Sequence, residues 1–153
     1  MEWTTHMLSG MVAGYMVTGG DWKGAVAGGI AGIVPDLDEP KSVFGKVFFP
    51  VSILLNQVFG HRTFTHSLLF VVLTGGVFSL LAGPFMGLAI MAGITAHILG
   101  DMLTGKVQIL YPIKKSVGIP VSSFMFMMND RICKYVMLCL LIVFGWNDLA
   151  DYL

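Results

Sequence analysis

Residues 60–104 read GHRTFTHSLLFVVLTGGVFSLLAGPFMGLAIMAGITAHILGDMLT, and this stretch decides the fold class. It contains two apolar runs, residues 67–82 and 85–103, which approach the length of about 20 residues that a helix needs to cross a bilayer core. Gly83 and Pro84 join the runs, and a connection this short makes the two helices antiparallel neighbours. The sequence therefore predicts a membrane-embedded helical hairpin.

The composition of the whole chain also indicates a membrane protein. Of its 153 residues, 56% are hydrophobic and 12% are charged, and the mean hydropathy is +0.80. Soluble domains carry about 25% charged residues, so the composition disfavours a water-soluble globule, and it is the reverse of a disordered one. Nine basic residues balance nine acidic ones without a basic tract. We therefore expect no nucleic-acid partner, because such a partner requires a concentrated positive patch.

Further apolar runs lie on both sides of the hairpin, at residues 7–18, 24–34, 47–59 and 135–146. The first two are Gly-rich and shorter than a bilayer crossing, and the third, interrupted by Pro50, is interpreted as interfacial or re-entrant. The first five residues carry no Lys or Arg, so no cleavable signal is expected. We expect an all-α polytopic bundle with four to five membrane-embedded segments, forming one domain over residues 1–153.

The basic residues predict the orientation of this bundle. If the turn at Gly83 and Pro84 lies outside, only Lys23 shares that side, and the C-terminus is expected there too. The other eight basic residues then lie in the cytoplasm, as the positive-inside rule requires: Lys41, Lys46, Arg62, Lys106, Lys114, Lys115, Arg131 and Lys134.

All four histidines lie at the ends of apolar runs, close to carboxylates or other polar residues. In the orientation above, these ends meet at the cytoplasmic face. Ionisable side chains within a membrane protein are costly and usually functional, so their convergence predicts a site. The candidate metal ligands are His6, Asp36, Asp38, His61, His66, His97 and Asp101.

The spacing of these residues along the chain indicates which of them can act together as metal ligands. His97 and Asp101 are four residues apart and share one helix face, where they would hold a metal ion or simply hydrogen-bond to each other. Asp36 and Asp38 lie between two prolines, and in an extended stretch they would point the same way. Two such carboxylates repel unless a cation neutralises them or one takes a proton. Taken alone, the pair is better explained as a solvated loop, and His6 alone as an interfacial histidine.

The segment before the hairpin supplies two further histidines and an arginine. His61 and His66 are five residues apart and cannot share a helix face, so His61 is expected in the preceding loop, with Thr65 as the N-cap of the helix. Arg62 suits a phosphate or carboxylate, with a headgroup anchor as the equal alternative.

Histidine and aspartate without cysteine favour Zn²⁺, with Mn or Fe as alternatives. Seven candidate ligands exceed the needs of one structural zinc and predict two ions, an arrangement that serves hydrolysis. The first-choice ligands are His6, Asp36, His66, His97 and Asp101, with Thr65 and Thr104 as hydrogen-bond donors around them. The expected catalytic residues are Asp38 or His61, as a base, further ligand or orienting partner, and Arg62, as the anchor of an anionic substrate oxygen. The alternative is a non-enzymatic metal-binding protein, either a divalent-cation transporter or a scaffold.

The same residues carry a family resemblance. The chain resembles the YdjM-type family of inner-membrane, predicted metal-dependent hydrolases, and its HxxxD helix is similar to that of zinc-dependent phospholipase C. The resemblance implies a bacterial inner-membrane hydrolase facing the cytoplasm, with a lipid or another phosphoester as substrate. It depends on His6, VPDLD at residues 34–38, HRTFTHSL at 61–68, AHILGD at 96–101 with Thr104, and LYP at 110–112.

Overall fold

The computed structural model describes residues 1–151 and is 75% helical, which confirms the all-α prediction. Two short 3₁₀ helices cover Val34–Asp38 and Phe64–His66, and strands β1 (Lys106–Val107) and β2 (Val117–Gly118) form one antiparallel pair. The seven α-helices are α1 (Trp3–Val17), α2 (Trp22–Ala31), α3 (Val43–Val47), α4 (Phe49–Phe59), α5 (Leu68–Ala82), α6 (Pro84–Thr104) and α7 (Ser123–Ala150).

Glycine brings the backbones of α1, α2 and α6 into direct contact. A Cβ atom on Gly10 of α1, or on Gly93 of α6, would overlap the carbonyl oxygen of Gly28 in α2. A Cβ atom on Gly14 would overlap the carbonyl oxygen of Gly24 in the same way. Such close approach is typical of packed membrane helices. The three helices therefore meet at Gly28 with no side chain between them.

The predicted hairpin is present as α5 and α6. Gly83, at φ +89°, makes the turn, and Pro84 is the first residue of α6, where its missing N–H is not needed. Helix α6 packs against α1, α2 and α5, and its Ile94 and Ile98 lie in the buried core with Val71 of α5. Helix α6 is therefore the core helix of the bundle.

Among the described residues, two helices, α6 and α7, are long and apolar enough to cross a membrane, with 21 and 28 residues. The expectation of four to five such segments is not met, because the remaining apolar helices are too short. Helix α1 ends at a Gly-rich turn, and α2 ends before Pro35. A break at Phe48 separates α3 from α4. The last apolar run extends into the much longer α7, whose N-cap Ser122 accepts from the N–H of Met125.

Two local predictions are wrong. Asp36 and Asp38 lie in a 3₁₀ helix and not in an extended stretch, so their side chains do not point the same way. The N-cap of α5 is Ser67, which accepts from the N–H of Phe70, whereas Thr65 lies inside the second 3₁₀ helix. The two 3₁₀ helices place Asp38 and Thr65 in contact with each other.

Candidate metal centre

The chain segments predicted to converge do meet at one end of the bundle. Helix α1 supplies His6, the first 3₁₀ helix Asp36, the second His66, and α6 both His97 and Asp101. The three imidazoles are fully buried and Asp101 is 1% exposed. Their donor atoms form two groups, each within 4.8 Å: His6, Asp36 and His97, and His66, His97 and Asp101.

The carbonyl group of Gly32 sets the tautomer of His97. His97 Nδ1 lies 2.7 Å from this oxygen, two residues before the start of the first 3₁₀ helix. Because a carbonyl only accepts, Nδ1 carries the proton and neutral His97 presents its Nε2 lone pair to the cluster. That Nε2 lies 3.8 Å from an oxygen of Asp36 and 4.0 Å from one of Asp101. His97 is therefore oriented as a metal ligand through Nε2.

His66 presents its Nε2 to the same point. Its Nδ1 lies 3.0 Å from the hydroxyl oxygen of Thr65, and that hydroxyl donates its proton to Asp38 Oδ2 at 2.5 Å. The Thr65 oxygen therefore accepts from His66 Nδ1, which leaves the lone pair on Nε2. The Nε2 atoms of His66 and His97 are 3.0 Å apart. Two facing lone pairs at this distance require a proton or a cation between them.

A proton lies between the Nε2 atoms of His66 and His97 when no cation is bound. Burial lowers the pKa of His66, but hydrogen bonds to Asp101 and Asp38 outweigh burial and raise it to about 9. Burial raises the pKa of Asp36. The two shifts have different origins, since hydrogen bonds to carboxylates outweigh burial at His66, whereas burial itself disfavours the charged form of Asp36. A divalent cation would replace these protons.

His6 provides the observation that fits a metal most directly. Both of its ring nitrogens are buried, and neither makes a well-aligned hydrogen bond to the described residues. Its ring stacks on His97 with centroids 3.7 Å apart, and its Nε2 lies 3.3 Å from Asp101 Oδ1. Buried polar atoms without partners are rare in native proteins. Coordination of a metal ion by His6 would account for the burial of this imidazole.

Asp101 lies between the two groups. Its Oδ1 faces His6, whereas its Oδ2 lies 3.3 Å from His66 Nε2. Arg62 Nε lies 2.9 Å from Oδ2, and the Met1 amino group 2.8 Å from Oδ1. Arg62 adopts φ +61° to reach this position and keeps 26% of its side chain exposed. Asp101 therefore presents one oxygen to each of the two groups of donor atoms.

Asp38 faces away from these groups. Its oxygens accept from His61 Nδ1 at 2.6 Å, from the N–H of Arg62 at 3.1 Å and from Thr65. Burial alone would raise the pKa of Asp38, but hydrogen bonds from His61 and His66 hold it well below the usual range. Of the roles predicted for Asp38, its contacts favour an orienting partner of His61 and His66. Neither Asp38 nor His61 belongs to the two groups of donor atoms.

Two contacts of the centre were not predicted from the sequence. Gly32 contributes only a carbonyl oxygen, which leaves no side-chain signature, and its one signal is the Gly-rich end of α2. The amino group of Met1 reaches Asp101 across 100 residues. The predicted participation of Thr104 is limited, since its hydroxyl donates to the Gly100 carbonyl and lies 3.4 Å from the Met1 nitrogen.

Comparison with known proteins gives one family and several relatives. The family model described as YdjM inner membrane protein matches residues 1–150. Inner membrane protein YdjM of Escherichia coli (strain K12) is 34% identical over 116 residues, which cover 67% of this chain and 56% of that protein. The protein of the same name from Shigella flexneri gives identical values.

A relative from Bacillus subtilis matches a shorter stretch of the chain. Uncharacterized protein YvsG of Bacillus subtilis (strain 168) is 32% identical over 98 residues, 63% of this chain and 61% of that protein. The chain thus spans less than two thirds of the length of the curated relatives it matches. No solved structure matches it.

Proposed function

The chain belongs to the YdjM family of inner membrane proteins, and on this premise we propose that it is a membrane hydrolase that uses divalent cations to cleave a phosphoester. The observation that carries the proposal is the buried cluster of imidazoles and carboxylates at one end of an apolar bundle, in which the nitrogens of His6 are buried without a well-aligned hydrogen bond to the described residues. Such a donor set suits Zn²⁺, with Mn²⁺ or Fe²⁺ as alternatives.

Five side chains would hold two cations in this proposal. A single imidazole nitrogen binds one ion, so His97 serves one of the two groups with His66, while His6 and Asp36 serve the other. Asp101 offers a different oxygen to each side. Cations bound there would stabilise negative charge on a phosphoester and lower the pKa of the attacking water.

Residues around the cluster would bind the substrate and move protons. The guanidinium of Arg62, on a side chain that is 26% exposed, complements an anionic phosphoryl oxygen. His61 is 32% exposed in its side chain and has Nδ1 fixed on Asp38, which leaves Nε2 free to exchange a proton as a general acid or base. Asp36 is the most exposed member of the cluster, at 15% of its side chain. We therefore place substrate entry on the Asp36 side.

We also propose that the centre faces the cytoplasm. Helix α6 ends at the centre with Thr104, and the connection that follows it carries Lys106, Lys114 and Lys115. Lysines next to a membrane-spanning segment favour the cytoplasmic side. The far end of the bundle, where α2 begins, carries Lys23 as its only basic residue among those described.

A metal-stabilised scaffold is the second candidate, because the cluster is almost completely buried. The two functions differ in what exposed residues near the centre do. Hydrolysis requires Arg62 and His61, whereas a scaffold needs only the ligands.

Hydrolysis of bis(p-nitrophenyl) phosphate by detergent-purified protein tests the proposal. We expect activity that is lost on chelation and restored by Zn²⁺ or Mn²⁺. His61→Ala and Arg62→Ala should lower kcat/KM at least 100-fold, since general acid–base catalysis alone contributes about 10²–10⁴-fold, while bound metal is retained. Asp148→Asn, a carboxylate at the opposite end of the bundle, is the control. Wild-type protein that carries metal but cleaves no phosphodiester would favour the scaffold.

A further inference from the structure

An apolar cavity of about 700 Å³ lies beside α2 and the α5–α6 hairpin, outside the metal centre. Helix α2 forms one wall and α5 the other, and both flank α6, which forms the floor. The floor residues Met86, Ile90 and Ile94 are spaced four apart and share one face of α6. Ligand pockets in proteins occupy about 300–1,000 Å³. The cavity is therefore large enough for a substantial apolar group.

One end of the cavity lies next to the metal centre. Its lining residue Val34 precedes Asp36 by two residues, and Ile94 precedes His97 by three residues, about one helical turn. Asp36 is also the most exposed member of the cluster. A ligand in the cavity would therefore have one end beside the open side of the centre.

The length of the cavity and the charge of its lining residues indicate which kind of ligand it fits. From Met86 to Ile94 the floor extends about 12 Å along α6, close to the depth of about 15 Å of one leaflet's hydrocarbon. Among the described lining residues, the one charged side chain is Lys23, at the end away from the metal centre. Its aliphatic chain lets the ammonium group extend toward the opposite membrane interface. The walls thus complement a chain without charge, and Arg62 beside the centre complements an anion.

We propose that this cavity holds an acyl chain of a glycerophospholipid from the leaflet that contains the metal centre, with its phosphoester at the Asp36 side. The proposal rests on the proposed function and names the substrate class. The reaction is hydrolysis: a water oxygen bonds to phosphorus, one phosphorus–oxygen ester bond breaks, and the departing alkoxide takes the proton released by water. The products are an alcohol and a phosphate ester with one fewer ester bond.

The variant Ala27→Trp tests the proposal by filling the cavity, since Ala27 lines it on α2. Leu80→Trp is the matched control, because Leu80 lies outside the cavity and is 90% exposed. The first readout is retention of 1-palmitoyl-2-oleoyl phosphatidylglycerol by metal-depleted protein, measured by native mass spectrometry. The second is the ratio of kcat/KM for this lipid to kcat/KM for bis(p-nitrophenyl) phosphate.

We expect wild type and Leu80→Trp to retain about one lipid per chain, and Ala27→Trp to retain at least tenfold less. The ratio of lipid to soluble-diester cleavage should fall at least tenfold in Ala27→Trp alone. Equal retention and an equal ratio in both variants would overturn the lipid assignment and leave the proposed hydrolase intact. If wild type cleaves neither substrate, the proposed function fails, and the substrate assignment fails with it, whatever the retention.

Discussion

Asp36 and Asp38 are two residues apart but have different surroundings. Asp36 lies 3.8 Å from His97 in the cluster, whereas Asp38 accepts hydrogen bonds from His61, Thr65 and the Arg62 backbone. The 3₁₀ helix separates the two side chains by turning them to different sides. One carboxylate is thus available to a cation while the other orients histidines.

Replacement of Asp38 should weaken metal binding without removing a ligand. Asp38→Asn abolishes the charge that holds His66 and His61 in place, and loss of such an orienting partner typically costs 10–100-fold in metal affinity. Competition with a chromogenic chelator measures the Zn²⁺ affinity, and Glu39→Gln, the next acidic residue, is the control. An unchanged affinity in Asp38→Asn would contradict the orienting role.

Metal binding should release protons below pH 9. Without metal, His66 is protonated below its pKa of about 9, and a bound cation displaces this proton. The apparent affinity should therefore fall as pH decreases below about 9, by up to tenfold per pH unit for one proton. Calorimetry at pH 7.5 in buffers of different ionisation enthalpy measures the release, which should decrease by one proton in His66→Ala. Release of no protons by the wild type would contradict the assignment of His66.

At the level of the helices, glycine contacts position the ligands. Gly28 is the point where α1, α2 and α6 meet, and Gly32, one turn later, holds His97 through its carbonyl group. The helix that supplies His6 is thereby fixed against the helix that supplies His97. The small residues of α1 and α2 are therefore part of the construction of the centre.

Gly28→Ala should destabilise the bundle, because the added Cβ would lie 2.9 Å from the Cα atom of Gly14. Overpacking of this kind costs about 1–3 kcal/mol. Gly76→Ala on α5 is the matched control, since a Cβ there has no atom within 4 Å, and it should be neutral or slightly stabilising. Thermal unfolding in detergent, followed by metal analysis, makes the comparison. Equal midpoints for the two variants would show that the Gly28 contact is unimportant.

The sequence predicted the parts of the centre that depend on local periodicity and chain order. His97 and Asp101 share a helix face because of their spacing, and the four segments converge because the apolar runs alternate direction. It did not predict the role of Gly32, since a backbone carbonyl has no side-chain signal. It named Thr65 as a hydrogen-bond donor near the ligands but not its acceptor Asp38, which lies 27 residues away. The sequence also predicted four to five membrane-embedded segments, whereas only two helices among the described residues are long enough to cross a membrane, because the other apolar runs form shorter helices.

For the whole molecule, the arrangement places the metal centre and Lys23 at opposite ends of the bundle. Helix α6 runs from its turn at Gly83 to the centre, and α7 is the second helix long enough to cross the membrane. Asp148 of α7 accepts from Tyr15 and Trp22 at the far end, so α7 packs along α1 over most of its length. This geometry makes the orientation of the centre measurable from either end.

Cysteine labelling with a membrane-impermeant maleimide tests that orientation in a background lacking Cys133 and Cys139. Lys23→Cys should be labelled in intact spheroplasts, whereas Lys115→Cys should be labelled only after the membrane is permeabilised, because lysines near the centre are expected in the cytoplasm. The opposite pattern would place the centre outside.

Elemental analysis of detergent-purified protein tests the central claim most directly. Wild type, supplied with Zn²⁺ and then dialysed, should carry about two ions per chain, as expected for a two-metal hydrolytic site. His97→Ala and Asp101→Ala should lose most of this metal while remaining in the membrane fraction, and Asp148→Asn should keep it. Wild-type protein without bound Zn²⁺, Mn²⁺ or Fe²⁺, or ligand variants with undiminished metal, would contradict the metal centre.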